Sequence, residues 1–154
     1  MTRPYLSVIV PAYHQEATIT KDLLQIKKAL RQIRYSSELI CVVDGYEDKT
    51  FQESLKVSGV KTLGYKINRG KGYAIRYAMH KCKGHVIAFI DSGMEINPNG
   101  LSMILEHFEW YKADIIVGSK RHPASKGNYP WPRRILSLGY QLLVKVLLGN
   151  AQNN

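Results

Sequence analysis

Acidic residues run out early in this chain. None follows Asp114, whereas Lys120, Arg121, Lys126, Arg133, Arg134 and Lys145 all lie beyond it. Across 154 residues, 22 basic side chains face 12 acidic ones, a formal charge of +10. Such a surface attracts phosphates, an acidic membrane or nucleic acid, or it merely solubilises an apolar tail. Sequence-specific nucleic-acid binding is set aside, because no reading motif or stacking array accompanies the charge. Cysteine is scarce too. Cys41 falls in a strand-like run and Cys82 late in a helical one, which is not a metal-ligand spacing. Two reduced thiols of a cytosolic protein are expected, not a disulfide. With a strand-like run starting at Leu6, no secretory leader is expected. Repeats and low-complexity tracts are absent, and the 45% hydrophobic content is that of an ordinary globular domain with a sizeable core. Residues 133–148 are apolar nearly all round, yet short of the roughly 20 residues that span a bilayer. They suit either the membrane interface, with Arg133 and Arg134 at the headgroups, or a core helix.

What is present is an alternation of periods. Short Val/Ile-rich runs at 6–12, 39–43, 60–66, 86–90 and 114–118 read as buried strands. Between them lie helical patterns: Leu23, Ile26, Leu30 and Ile33; Ile75, Met79 and Cys82; Leu101, Ile104, Leu105 and Phe108. This succession predicts an α/β fold with right-handed crossovers, a mostly parallel sheet and helices on both faces. Residues 119–132 lack periodicity and hold Pro123, Gly127, Pro130 and Pro132, so they read as a loop ahead of the 133–148 helix.

Chemistry gathers where the strands end. The run from His85 to Ile90 stops at Asp91, with Glu95 four residues on. Ligands of open α/β sheets bind beyond the carboxyl ends of the strands, and oxygen-bearing side chains there suit Mg²⁺ or Mn²⁺. The plainer alternative is a loop Asp followed by a helix-leading Glu. The same strand-then-turn grammar recurs from Leu6 to Tyr13 and from Glu38 to Asp44 and Gly45. Asp44 on its own could simply satisfy a βα turn. Gly70, Lys71 and Gly72 form a turn that lets backbone approach a ligand and opens a helix whose N-terminus favours anions. It is not a Walker loop.

Taken in order, these segments resemble the family 2 glycosyltransferases of the GT-A fold. That family shows Pro-x-Tyr-Asn-Glu-Glu, then Val-Val-Asp-Gly-Ser-x-Asp-x-Thr, then Asn-x-Gly-Lys-Gly and an Asp-x-Asp metal motif. The resemblance is strongest to the branch that makes polyprenyl-phosphate sugars, the dolichyl-phosphate mannose and glucose synthases and their prokaryotic relatives. There a Gly-Ser-Arg-like strand end leads to Tyr-Pro, Arg-Arg and an apolar helix; here stand Gly118, Ser119, Lys120 and Arg121, then Tyr129, Pro130, Arg133 and Arg134. The resemblance implies that Pro11, Ala12 and Tyr13 line the nucleobase and ribose site, with Glu16, Asp44, Gly70 and Lys71 also on the donor. Asp91 matches the first Asp of the metal motif. Gly93 replaces the second, leaving Glu95 as the auxiliary carboxylate, while His14 and Gln15 replace the usual Asn and first Glu.

The implied reaction moves a sugar from a nucleoside-diphosphate sugar to a polyprenyl phosphate with inversion. An acceptor phosphate is already an anionic nucleophile, so it calls for cations and not for a general base. Lys120, Arg121, Arg133 and Arg134 would supply them, with Asp91, Arg121 and Arg133 the expected catalytic groups. Other readings are a family 2 transferase acting on a saccharide hydroxyl and an inactive nucleotide-sugar-binding fragment. The expected layout is a donor-binding core over residues 1–118 and a basic acceptor loop plus apolar helix over 119–154. In the family a further strand and helices follow that helix, so a C-terminally truncated catalytic domain is expected, cytoplasmic and peripheral to the membrane.

Overall fold

A computed structural model describes residues 3–94 and 96–118. Four parallel strands lie in the order β3-β2-β1-β4: β1 Leu6–Ala12, β2 Ser37–Asp44, β3 Val60–Tyr65 and β4 Val86–Phe89. Leu6 is in register with Ser37 on one side and Val86 on the other, and Asp44 with Tyr65. Helices α1 (Ile19–Leu30), α2 (Thr50–Leu55), α3 (Lys71–Met79) and α4 (Gly100–Tyr111) alternate with the strands. The unit that carries them runs to Ile116.

Strand alternation divides the core between two faces. Leu6, Val8 and Val10 of β1, with Leu39, Cys41 and Val43 of β2, join Leu23, Ile26 and Leu30 of α1 and Leu101 and Leu105 of α4. Ile9, Ile40 and Val42 point the other way, to Ala74 and Ala78 of α3. With both faces covered, every residue of β1 is buried, which is why it reads as a continuous apolar run. Each fully buried Leu or Ile of this kind contributes about 1.5–3 kcal/mol relative to exposure. Burial also pushes the Cys41 thiol up to about 12, keeping it protonated and inert. Cys41 and Cys82 are both free.

Two expectations need correction. Residues 114–118 form no strand: Ile115 is 80% and Val117 83% exposed. Among the described residues β4 is the sheet edge, and the segment has no neighbour to complete its backbone hydrogen bonds. The face of α3 that meets the sheet is Ala74 and Ala78, not Ile75, Met79 and Cys82. Ile75 is half-buried and Met79 is 44% exposed. Small side chains let the helix lie close over Ile9 and Ile40, while Cys82 packs beyond its end. Among the described residues, no helix is long and apolar enough to cross a membrane.

Candidate donor-binding cleft

Strand order fixes where a ligand can sit. From β1 the chain steps to β2 and β3 on one side, then returns across β1 to place β4 on the other. The crevice outside the carboxyl ends of β1 and β4 is therefore the topological switch point, where open α/β sheets bind ligands. A cleft of about 330 Å³ lies there. Pro11, Ala12 and Tyr13 come from the end of β1 and Asp44 from β2. Asn68, Gly70 and Lys71 come from the turn into α3, and Asp91 and Ser92 follow β4. A larger hollow, about 410 Å³, runs along the outer face of α1 past Lys21, Leu24 and Lys28. It is lined by no carboxylate and no strand end, so the smaller cleft is the candidate site.

One wall is built around Asp44, which is 4% exposed. Its Oδ1 accepts the Tyr65 hydroxyl at 2.9 Å and the Arg69 amide at 2.8 Å. Burial, and then the bond to the Asp44 carboxylate, raise the Tyr65 phenol well above its ordinary value, so it stays a donor. Gly45 follows with φ +96°, and a Cβ there would lie 3.2 Å from the Asn68 backbone nitrogen. Only glycine lets the two loops approach that closely in that conformation. The Asn68 side-chain oxygen accepts the Gly70 amide at 3.0 Å. The Arg69 guanidinium donates to the Tyr73 hydroxyl and lies 4.8 Å from that ring's centre. Tyr65 packs edge-on against Tyr73 and Tyr77.

The rim is laced by the turns after β1 and β2. Tyr13 donates its hydroxyl to Glu47 at 2.9 Å, a bond that raises its pKa, and His14 lies 3.2 Å from the same carboxylate. The Gln15 amide donates to the Thr50 hydroxyl at 2.8 Å, which in turn donates to Asp48. Burial opposes the charge on Asp48, but the hydroxyl and amide of Thr50 prevail and hold its carboxyl below the usual range.

The other wall is Asp91. Its side chain is 41% exposed and meets the Lys71 ammonium at 2.5 Å. Ser92 donates its hydroxyl to the Pro11 carbonyl at 3.0 Å, and the Gly93 amide donates to Asp22 at 2.8 Å.

The fold thus gathers Pro11, Ala12, Tyr13, Asp44, Gly70, Lys71 and Asp91 into one cleft. Glu16 is not among its lining residues; its carboxylate accepts the Lys49 amide at 3.0 Å and ties the two turns together. Glu95, Arg121 and Arg133 lie outside the described residues. Sequence reasoning missed Ser92, Glu47 and Asp22; the first two are polar residues in polar loops, with no pattern to single them out. Among the described residues, no three His, Cys, Asp or Glu side chains cluster as a ready-made metal cage. The donors nonetheless suit Mg²⁺ or Mn²⁺. Asp91 already attracts a cation, the Lys71 ammonium, and ions of this type commonly take one or two carboxylates and complete their shell with phosphate and water.

The model for glycosyl transferase family 2 matches residues 7–153. A dolichyl-phosphate beta-glucosyltransferase of Trichomonas vaginalis is 31% identical over 157 residues, covering 92% of this chain and 48% of its own length. An undecaprenyl-phosphate 4-deoxy-4-formamido-L-arabinose transferase of Pseudomonas fluorescens is 23% identical, covering 90% of this chain and 43% of its own. The chain spans about half the length of the curated relatives it matches. Among solved structures, glucosyl-3-phosphoglycerate synthase of Mycobacterium tuberculosis with Mn²⁺, UDP and glucosyl-3-phosphoglycerate superposes with TM-score 0.62. It is 21% identical and covers 94% of this chain and 50% of its own. A mannosyltransferase of Pyrobaculum calidifontis with GDP-Man and Mn²⁺ gives TM-score 0.55 at 21% identity, covering 77% and 35%. The shared architecture is the GT-A fold.

Proposed function

Since this chain belongs to glycosyl transferase family 2, we propose that it moves a sugar from a nucleoside-diphosphate sugar to a polyprenyl phosphate, inverting the anomeric centre. One observation carries the donor half. The fold brings Asp44, the turn from Asn68 to Lys71, and Asp91 into a single cleft at the switch point. The acceptor half draws on the relatives, which are dolichyl-phosphate and undecaprenyl-phosphate transferases over nearly all of this chain.

Each wall has its task. Asp44 offers acceptor oxygens to the ring N–H groups of a base, with Oδ1 already held by Tyr65 and Arg69. Tyr13 lies on the base and ribose side. Lys71 and the first amides of α3 meet the diphosphate. A Mg²⁺ or Mn²⁺ ion held by Asp91, with Glu95 as auxiliary, would supply Lewis-acid neutralisation of the departing diphosphate. The acceptor phosphate needs positioning by Lys120, Arg121, Arg133 and Arg134 at the cytoplasmic face of a membrane, and no base.

The test is calorimetry of UDP and GDP with Mn²⁺ or with chelator. Asp91→Asn should weaken the metal-dependent binding of the preferred nucleotide at least tenfold, about 1.4 kcal/mol. Affinities indifferent to both the substitution and the chelator would sink the donor-site assignment.

A further inference from the structure

A carboxylate with no part in the cleft lies within reach of the Asp91 loop. Asp22 stands in the first turn of α1 and is only 4% exposed. Ionised carboxylates seldom sit inside a protein, because losing water is costly unless hydrogen bonds replace it. The helix N-terminus welcomes negative charge, but an exposed acid would serve it equally well. Burial gives Asp22 something else: Oδ2 accepts the amide of Gly93, 71 positions away, at 2.8 Å.

Gly93 is two residues past Asp91 and has φ +87°, and Met94 follows with φ +55°. Two successive left-handed residues turn the chain sharply, and the second is not glycine, a conformation that persists only where its surroundings hold it. Three contacts bracket Asp91. Ahead of it, the Ile90 amide donates to the Ile9 carbonyl at 3.0 Å. Behind it, Ser92 is fastened to Pro11 and Gly93 to Asp22. The acceptors of the first two are β1 backbone carbonyls, one of them met by the Ser92 hydroxyl. The third acceptor is a side chain.

We propose that Asp22 is a positioning residue for the transfer reaction. By accepting the Gly93 amide it fixes the turn that aims Asp91 into the cleft, so a residue of α1 sets the geometry of a carboxylate two positions from the bond it makes. Position 93 has no side chain to offer a ligand; its contribution is the amide. This role rests on the donor-site reading of Asp91 given above.

The experiment uses the full chain with Asp22→Ala, which removes the acceptor, and Asp22→Asn, whose carbonyl oxygen can still accept. Hydrogen exchange is followed over residues 90–94, and UDP and GDP are titrated with Mn²⁺ and with EDTA. In Asp22→Ala, exchange at Gly93 should quicken. Mn²⁺-dependent affinity should fall by roughly fivefold to tenfold, while EDTA-resistant affinity stays within about twofold. Asp22→Asn should recover most of both. If Asp22→Ala does not fold, Asp22→Ser, with a shorter side chain, takes its place. Unchanged protection at Gly93, equal losses with Mn²⁺ and EDTA, or no recovery in Asp22→Asn would each overturn the positioning role. Wild-type protein that binds neither nucleotide would overturn the donor-site reading itself. Wild-type binding that Asp22→Ala leaves intact would overturn only the role of Asp22.

Discussion

The two walls of the cleft hold their carboxylates in opposite ways. Asp44 is buried, and one of its oxygens is fully engaged by Tyr65 and Arg69. Asp91 is 41% exposed, and its partner is a lysine whose side chain is itself 54% exposed. The first arrangement is finished by the protein before any ligand arrives. The second is held by an exchangeable ion pair, and such pairs contribute little in water. A group that reads the shape of a base benefits from rigidity, because its hydrogen bonds are set in advance. A group that meets a charged, metal-bridged diphosphate has to give up one cation for another. On the proposed assignment of the two walls, the difference in construction follows the difference in task.

The largest effect expected from breaking this contrast lies at Asp44. Asp44→Ala leaves the Tyr65 hydroxyl and the Arg69 amide, both in part-buried bonds, without their acceptor, at about 1–3 kcal/mol for each. Urea unfolding should show a loss of about 2–5 kcal/mol, and nucleotide binding should fall with and without Mn²⁺. Asp91→Ala should cost far less stability. Equal destabilisation by the two substitutions would mean that both walls are structural, and the division of labour would fail.

Gly45 sharpens the same point at an intermediate scale. At φ +96°, with Asn68 backbone 3.2 Å from any added Cβ, Gly45→Ala strains the turn and pushes the Asn68 loop outward. Stability should drop by about 1–3 kcal/mol, and the loss should appear in EDTA-resistant nucleotide binding as well. An alanine variant with wild-type unfolding and binding would show that close approach of the two loops is not needed.

The sequence made the rigid wall easier to read than the adjustable one. Asp44 stands where an apolar run meets Gly45, and β1 and most of β2 are buried on both faces, so they read as continuous apolar runs. The core face of α1 was legible from its helical spacing: Leu23, Ile26 and Leu30 are buried, as is Ile33 just past its end. α3 misled because its contact with the sheet uses Ala74 and Ala78, and alanine carries almost no hydrophobic signal. Residues 114–118 misled in reverse: among the described residues no strand pairs with this β-prone run, and it remains coil. At the site, Asp91 could be found from its place at a strand end. Asp22 could not, because an acid in a first helical turn looks like a routine partner of the helix dipole. Only the fold reveals the Gly93 amide beside it.

The smallest effect on stability belongs to Lys71. Both partners of the Lys71–Asp91 pair are about half exposed, so their attraction is screened and the pair contributes about 0–1 kcal/mol. Lys71→Met keeps the length and apolar stem of the side chain, and urea unfolding should barely change. Ligand binding should change in two directions. Without nucleotide, Asp91 loses its internal cation, so Mn²⁺ titrated into the free protein should bind more tightly. With nucleotide, the diphosphate loses a cationic contact, and UDP or GDP affinity should fall about tenfold, or ~1.4 kcal/mol. Opposite shifts in the two titrations are what an exchangeable wall requires. If both affinities fall together, Lys71 supports the fold of the Asp91 loop and does not stand in for the metal. If neither moves, the ion pair has no part in donor binding, and Asp91 is set by the contacts of Ile90, Ser92 and Gly93 alone.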